Sequence, residues 1–431
     1  MKILGYSLAI FILGLSVALR ISWQRPQILP KNQPIKIIAT LKNEPKIYEI
    51  SQVLEIGDSR IFTDLYPRYR VGDRLSIEGE VDSDGKMYQP VIQKLDYQEG
   101  FNSYFSALRE KISGNLMQLL PVDEATLVVG TVLGIDNIGL EFRQALIKTG
   151  TIHVVVVSGQ NLMIVAGVFL SLVKYIGRRK SLMLALIASF SYALLTGFEP
   201  PVLRATLMVL ASTLAIYFGR ETLPIWNLVL AAFLILFIWP KAFFEISFQL
   251  TFAATLGIMT LGQYLAKISN FKLLSKDNFS SKKQISNLET ATRSAQAHGT
   301  LDTLGTLFIN NAAIAVSAYV FTAPIILYYF GRVSILSPIV NVLVIEAVFP
   351  IMILGFIVAF LSLIFIPLAQ VFAYFAYVPA FYFVKIVKLF AQVPMEQMSL
   401  GKGNLVIVIS FYILLLVLIF VWTRKSKDPN F

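Results

Sequence analysis

Nine long apolar stretches follow one another between Ile152 and Trp422, each near the length a lipid bilayer requires. They are Ile152–Tyr175, Ser181–Leu195, Val202–Phe218, Ile225–Trp239, Phe243–Leu265, Leu304–Phe330, Val348–Ile366, Leu368–Phe390 and Leu405–Trp422. A hydrocarbon core about 30 Å thick is crossed by about 20 helical residues. Only 15% of the 431 residues are charged and the mean hydropathy is +0.68, whereas a soluble domain is about 25% charged. Ile3–Leu19, behind Lys2, is either a tenth span or the apolar part of a signal peptide. The lack of a small-residue cleavage site before Arg20 favours a retained span. Ile335–Ala347 contains Pro338 and Asn341 and reads as a re-entrant piece that does not cross. The expected fold is an α-helical polytopic membrane protein of about ten spans plus this re-entrant segment.

The formal net charge of +11 invites a nucleic-acid reading, but its placement argues for topology first. Arg20 to Leu120 nearly balances, with 14 basic and 13 acidic residues. The excess sits at Lys2, Lys174–Lys180, Arg220–Glu221, Lys267–Asp302 and Arg424–Asp428, which together hold 15 basic and 5 acidic residues. With both termini cytoplasmic, all of these clusters fall inside the cell, as the positive-inside rule requires.

Between the first span and the remainder, short β-branched runs are separated by Pro, Asn, Gly and Asp. Ile35–Thr40, Ile47–Glu55, Arg60–Asp64, Arg74–Val81 and Met87–Leu95 read as five strands. Asn43-Glu44-Pro45, Val71-Gly72-Asp73 and Asp84-Gly85 supply turn chemistry. Such a set suits a small OB-like barrel outside the membrane. Tyr48, Phe62, Tyr66 and Tyr69 are available either to stack on bases or simply to fill and coat the barrel. Phe101, Tyr104, Leu108, Ile112 and Leu116 recur at helical spacing and predict an interfacial amphipathic helix. Two short helices follow, with Gly134 and Gly150 as their stops. The expected domains are an N-terminal span (1–20), an OB-like β domain (21–100), interfacial helices (101–150), a transmembrane domain (151–423) and a basic cytoplasmic tail (424–431).

Within the spans, ionisable and strongly polar side chains are expensive in lipid and mark interior or wet surfaces. The ionisable set is His153, Arg204, Glu245, Glu346, Lys385 and Lys388. Polar neighbours include Ser158, Gln160, Asn161, Gln249, Asn310, Asn311 and Asn341. The densest group is Gly150-Thr151-Ile152-His153-Val154-Val155-Val156-Val157-Ser158-Gly159-Gln160-Asn161. Gly159 permits a broken helix that exposes backbone groups at membrane depth, while the small residues equally permit close helix packing. Arg204 lies one turn past Glu199-Pro200-Pro201. It either snorkels, pairs with Glu245 or meets an anion. Lys385 and Lys388 fit snorkelling, and Glu346 fits a buried pair or a protonated carboxyl.

Several chemistries are excluded. Cysteine is absent and only two histidines, His153 and His298, are present, so no thiolate or multi-histidine metal site can form. Ser158 lacks the first glycine of a nucleophile elbow, and no glycine-rich phosphate loop with a lysine occurs. The chain is therefore expected to carry no enzyme, cofactor or metal centre.

The motif at His153–Asn161 resembles the signature of the competence domain in ComEC-type DNA-internalisation proteins. Other pieces resemble that family in the same order. They are Leu127–Gly134 with Phe142, Arg204-Ala205 after the proline corner, Phe244-Glu245-Ile246-Ser247-Phe248-Gln249-Leu250-Thr251-Phe252-Ala253, and Gly331–Ser334 with Ser337-Pro338-Ile339-Val340-Asn341. The resemblance covers about residues 20 to 400. It departs at Asn161, where many members have His. It departs also in lacking the His-x-His-x-Asp-His cluster of the metallo-β-lactamase-like domain in longer members. It implies a channel that passes single-stranded DNA across the cytoplasmic membrane. Its contacts would be drawn from His153, Ser158, Gly159, Gln160, Asn161, Arg204, Glu245, Gln249, Asn310 and Asn341. A separate nuclease, a DNA receptor and a helicase-type motor would be partners, and a homodimer remains open. The alternatives are a secondary transporter of a small anion or envelope precursor, and a non-transporting structural member.

Overall fold

In a computed structural model of the chain, the described residues are 33–41, 45–47, 51–57, 59–70, 72–82, 85–97, 101–155, 158–198, 200–217, 224–238, 240–262, 265, 300–393, 398–399, 406 and 408–415. The expected first span, the corner residue Glu199, the loop Lys267–Asp302 up to residue 299 and the tail 424–431 lie outside them.

The N-terminal region contains the five expected strand runs, two of them divided. The strands are β1 (Pro34–Thr40), β2 (Lys46–Ile47), β3 (Ser51–Ile56), β4 (Ser59–Asp64), β5 (Asp73–Glu80), β6 (Lys86–Tyr88) and β7 (Val91–Tyr97). They form two sheets, ordered β1-β5-β7 and β2-β3-β4-β6. Among the described residues these sheets do not close into the expected OB-like barrel. The run at Met87–Leu95 shows why. Gln89 turns at φ 46, and Pro90 has no N–H to continue a ladder. The chain therefore leaves β6, parallel to β4, and re-enters as β7, antiparallel to β5. The two sheets share one apolar core of Leu41, Leu54, Ile61, Leu75, Ile77, Val81 and Met87.

The remainder is helical. Helices α1 (Phe101–Leu119), α2 (Val122–Leu133) and α3 (Leu140–Thr149) lead into α4 (Ile152–Val155), α5 (Gly159–Ser171), α6 (Val173–Ile176), α7 (Arg178–Leu195), α8 (Pro200–Tyr217) and α9 (Pro224–Ile238). After a 3-10 turn at Pro240–Phe244 come α10 (Ile246–Gly257), a π-helical turn Ile258–Gly262, and α11 (Thr300–Phe330). Helices α12 (Ser337–Ile364) and α13 (Ile366–Ala391) follow, and β8 (Arg332–Val333) pairs with β9 (Met398–Ser399). Gly134 and Gly150 end α2 and α3 at φ 78 and φ 69, the left-handed cap that glycine adopts without strain.

Helix α1 ties the β region to the bundle. Arg70 pairs with Glu110 at 3.1 Å, and Asn115 Nδ2 donates to the Ser362 carbonyl at 3.0 Å. Its predicted apolar stripe is buried at Ile112 and Leu116, while Tyr104 is exposed. Helix α2 is not a surface element: every residue from Glu124 to Leu133 is buried. It approaches α12 so closely that a Cβ on Gly355 would lie 2.8 Å from Val132 Cγ2.

Four segments among the described residues are long and apolar enough to cross a membrane: Gly159–Ile176, Ala312–Phe330, Ser337–Ile364 and Ile366–Ala391. The re-entrant break expected at Ile335–Ala347 is absent, because α12 runs on through it. Pro338 lies in the first turn of α12, where a missing N–H is harmless. Asn341 Nδ2 bonds back to the Ser337 carbonyl at 2.8 Å, which stays on the helix. The 28 residues of α12 rise roughly 42 Å. Only Phe365 separates α12 from α13, and the two pack as an antiparallel hairpin whose Tyr382 hydroxyl donates to the Leu343 carbonyl at 3.0 Å.

Candidate functional site

Among the described residues of the motif from Gly150 to Asn161, two helices flank an extended Ser158. Helix α4 covers Ile152–Val155, Ser158 is extended (φ −125, ψ 167), and α5 begins at Gly159. Both readings left open for this stretch coexist: the helix is broken, and small residues pack closely beside the break. A Cβ on Gly130 of α2 would meet the Val155 carbonyl at 2.6 Å, so only glycine lets α2 seat against the end of α4. Gly159 faces Ala205 of α8, whose Cβ lies 3.3 Å from where its own Cβ would be.

Polar bonds pin the break from several sides. Asn161 is 1% exposed. Its Nδ2 donates to the Thr131 carbonyl of α2 at 3.1 Å, and its Oδ1 accepts from Ser158 Oγ at 3.1 Å. The Thr131 carbonyl lies in the last turn of α2, where intrahelical donors run out. It accepts a second bond from Tyr192 of α7 at 2.9 Å. Tyr192 was not among the sequence candidates. An aromatic residue in an apolar run carries no signal until its backbone partner is known.

Arg204, 2% exposed, is also enclosed. Its Nη2 donates to the Ser247 carbonyl (3.1 Å), Ser247 Oγ (2.9 Å) and Thr251 Oγ1 (2.8 Å) of α10, while its Nε is buried without a hydrogen bond. Glu245 begins α10, exposed and at the N-cap position, and is not within salt-bridge reach of Arg204 among the described residues. A buried arginine is thus held by hydroxyls and a carbonyl, as intramembrane cations commonly are. Gln249 Nε2 donates to the Phe243 carbonyl at 3.1 Å.

The other end of the motif meets α12. Ser334 Oγ donates to the Lys148 carbonyl at 2.5 Å, and Ser337 Oγ lies 3.5 Å from the Gly150 carbonyl. A Cβ on Gly150 would come within 2.5 Å of Ser337 Oγ. Asn341 Nδ2 reaches the same Ser337 Oγ at 3.0 Å.

The candidates therefore divide. Ser158, Gly159, Asn161 and Arg204 sit where α2, α5, α8 and α10 join, whereas Asn341 bonds only to Ser337 on its own helix α12. His153, Gln160 and Glu245 are exposed. The side chain of Asn310 lies outside the described residues. Ser158 Oγ bonds Asn161, not His153. Among the described residues no group of three or more His, Cys, Asp or Glu could hold a metal.

Together, a mostly helical chain with four membrane-length apolar helices among the described residues and a polar cluster built around a broken helix define a membrane protein. The Competence protein family model matches residues 131–425, and the chain belongs to that family, the ComEC type its motif order resembles. ComE operon protein 3 of Bacillus subtilis (strain 168) is 27% identical over 261 residues, 59% of this chain and 28% of that protein. An "Uncharacterized protein" of Aquifex aeolicus (strain VF5) is 35% identical over 124 residues, 28% of this chain and 29% of that one. The chain thus spans less than a third of the length of these curated relatives. No solved structure matches.

Proposed function

We propose that this chain forms a channel that carries single-stranded DNA across the cytoplasmic membrane during natural transformation. The observation that carries this reading is the meeting of the family's separated motifs in space. Thr131 joins Asn161, Gly159 joins Ala205, Arg204 joins Ser247 and Thr251, and Gly150 joins Ser337. Such a joint fixes a broken helix, and broken helices place polar backbone at membrane depth.

In this reading the exposed groups His153, Gln160 and Glu245 face the strand, while Asn161, Arg204 and Asn341 hold the wall. Weak neutral contacts suit a moving polymer, since tight ones would stop it. The chain performs no chemistry itself. A nuclease, a receptor and a motor supply cleavage, capture and pulling, and a homodimer is compatible. About ten spans cross the membrane, the termini are cytoplasmic, and the β region, an open relative of an OB barrel, lies outside.

Uptake of labelled single strands by a transformable host tests the proposal. Deleting the gene should abolish uptake and the intact gene should restore it; unchanged uptake would refute it. One observation favours a second reading, transport of a small anion: the buried Arg204 keeps its Nε without a hydrogen bond, a donor suited to one small anionic group rather than a strand. Counterflow of a small organic phosphate into vesicles containing the purified chain, with no DNA passage, would select it.

A further inference from the structure

Strand β4 presents Arg60, Phe62 and Asp64 on its outer face, since Ile61 between them is buried in the β core and side chains alternate along a strand. Beside it β6 runs parallel, in a register that sets Lys86 next to Arg60 and Tyr88 next to Phe62. The Phe62 and Tyr88 rings stack, with centroids 5.0 Å apart and planes inclined by 19°. Strand β6 is the edge of its sheet. One face of the Tyr88 ring is covered by Phe62, yet the residue is 60% exposed, so its other face is open. The backbone beside it is strained. Gln89 holds φ 46, a left-handed conformation that is costly for a residue with a side chain and recurs at ligand clamps. Its N–H donates to the Phe62 carbonyl at 2.9 Å, which fixes the end of β6 against β4. Two kinds of ligand lie flat on such a ring. One is a nucleobase. The other is the C–H face of a pyranose, whose partly positive hydrogens meet the negative face of the π system. Small β folds bind both oligonucleotides and oligosaccharides on a strand face. Charge decides between them here. A polyanionic strand draws its affinity from unmatched basic side chains. Among the described side chains of this face, Arg60 and Lys86 are matched by Glu55, opposite Arg60 on β3, and by Asp64. Glu55 and Lys86 are moreover each engaged already in contacts of their own.

We propose that the open face of Tyr88, backed by Phe62, is a platform for a neutral oligosaccharide of equatorially substituted pyranose rings. Such a ring turns a flat C–H face to the platform and keeps its hydroxyls at the rim, in water or within reach of neighbouring polar groups. The site lies in the β region and does not depend on what the motif cluster transports.

The test titrates the full chain in phosphatidylcholine nanodiscs with cellohexaose, a neutral oligomer of all-equatorial rings, and reads binding by calorimetry. Saturable binding is expected. Tyr88→Ala removes the platform and should weaken it by about tenfold. Tyr88→Phe keeps the ring and should stay within about twofold of the unsubstituted chain. Mannohexaose of the same β-1,4 linkage, its 2-hydroxyls axial, should bind about fivefold more weakly. Oligothymidylate should not displace the sugar. No saturable binding, unchanged affinity in Tyr88→Ala, equal losses in Tyr88→Phe and Tyr88→Ala, or equal binding of the two sugars would each overturn the proposal. So would displacement by oligothymidylate, which would give the face to nucleic acid. If Tyr88→Ala fails to fold, Tyr88→Phe and the competitions on the unsubstituted chain decide.

Discussion

The β region and helix α13 sort their residues in opposite ways. In the β region Leu54, Ile61, Leu75 and Ile77 are fully enclosed, and the charged pair of Lys36 with Glu78 stands outside. In α13 the enclosed stripe begins with Ala369, Ala373, Ala376 and Ala380 and ends on Phe383, Val384 and Val387, while Val371, Tyr374, Phe375 and Val378 face outward. The first is the order imposed by water, which drives large apolar groups inward. The second is the order imposed by lipid, where apolar bulk outside is harmless and small residues inside let helices approach. Each face names its solvent.

Core truncation should separate the two regions most. Leu54→Ala leaves a cavity in the β core and should lower stability by about 2–5 kcal/mol. Tyr374→Ala, on the outer face of α13, should change it by less than about 0.5 kcal/mol. Hydrogen exchange of the reconstituted chain reads both, and comparable losses would break the comparison. Next in size is a pair of matched exposure, Val371 at 51% and Ile38 at 55%. Val371→Lys should oppose membrane insertion by about 2.5–3.5 kcal/mol and reduce the amount of inserted protein. Ile38→Lys, on β1, should be neutral within about 0.5 kcal/mol. Gly130→Ala forces α2 off the Val155 carbonyl and should destabilise by about 1–3 kcal/mol, with DNA uptake falling alongside thermal stability.

Much of the architecture was legible in the residue order. Turn and cap chemistry placed the strand runs and the ends of α2 and α3. The valine run followed by Ser158-Gly159 located the helix break. Pro338 misled, because a proline that reads as an interruption is equally a good first-turn residue, and only the course of the chain before it tells which. The separation of β6 from β7 was hidden because β4 and β6 pair across distant sequence. Arg204 was legible as important, but its acceptors were not. Two of the three are hydroxyls on α10, and the third is a backbone carbonyl, which no residue type announces. The same is true of the Thr131 carbonyl shared by Asn161 and Tyr192.

That shared carbonyl gives a smaller test. Tyr192→Phe or Asn161→Ala alone leaves one donor on Thr131 and should cost about 1 kcal/mol. The double variant strands a buried acceptor and should exceed the sum of the two, measured as a thermal-unfolding cycle. Smallest is a pH effect in the water-sorted region. Burial, and secondarily the charge of Asp73, raises the Tyr69 phenol above its ordinary value. A folded value above the unfolded one means the contribution is intact below about pH 10 and is lost as pH rises through the folded value. Tyr69→Phe should flatten that alkaline decline.

With Phe365 as their only joint, α12 and α13 cannot slide past each other or part at that end. Their far ends, at Ser337 and Lys388, are where the two could part. Any such opening would pull at Gly150 and Lys148 on one arm and, through the Lys388–Asp123 ion pair at 2.6 Å, at the start of α2 on the other. The two arms would thereby tug from opposite ends on the stretch of chain that leads into the broken helix.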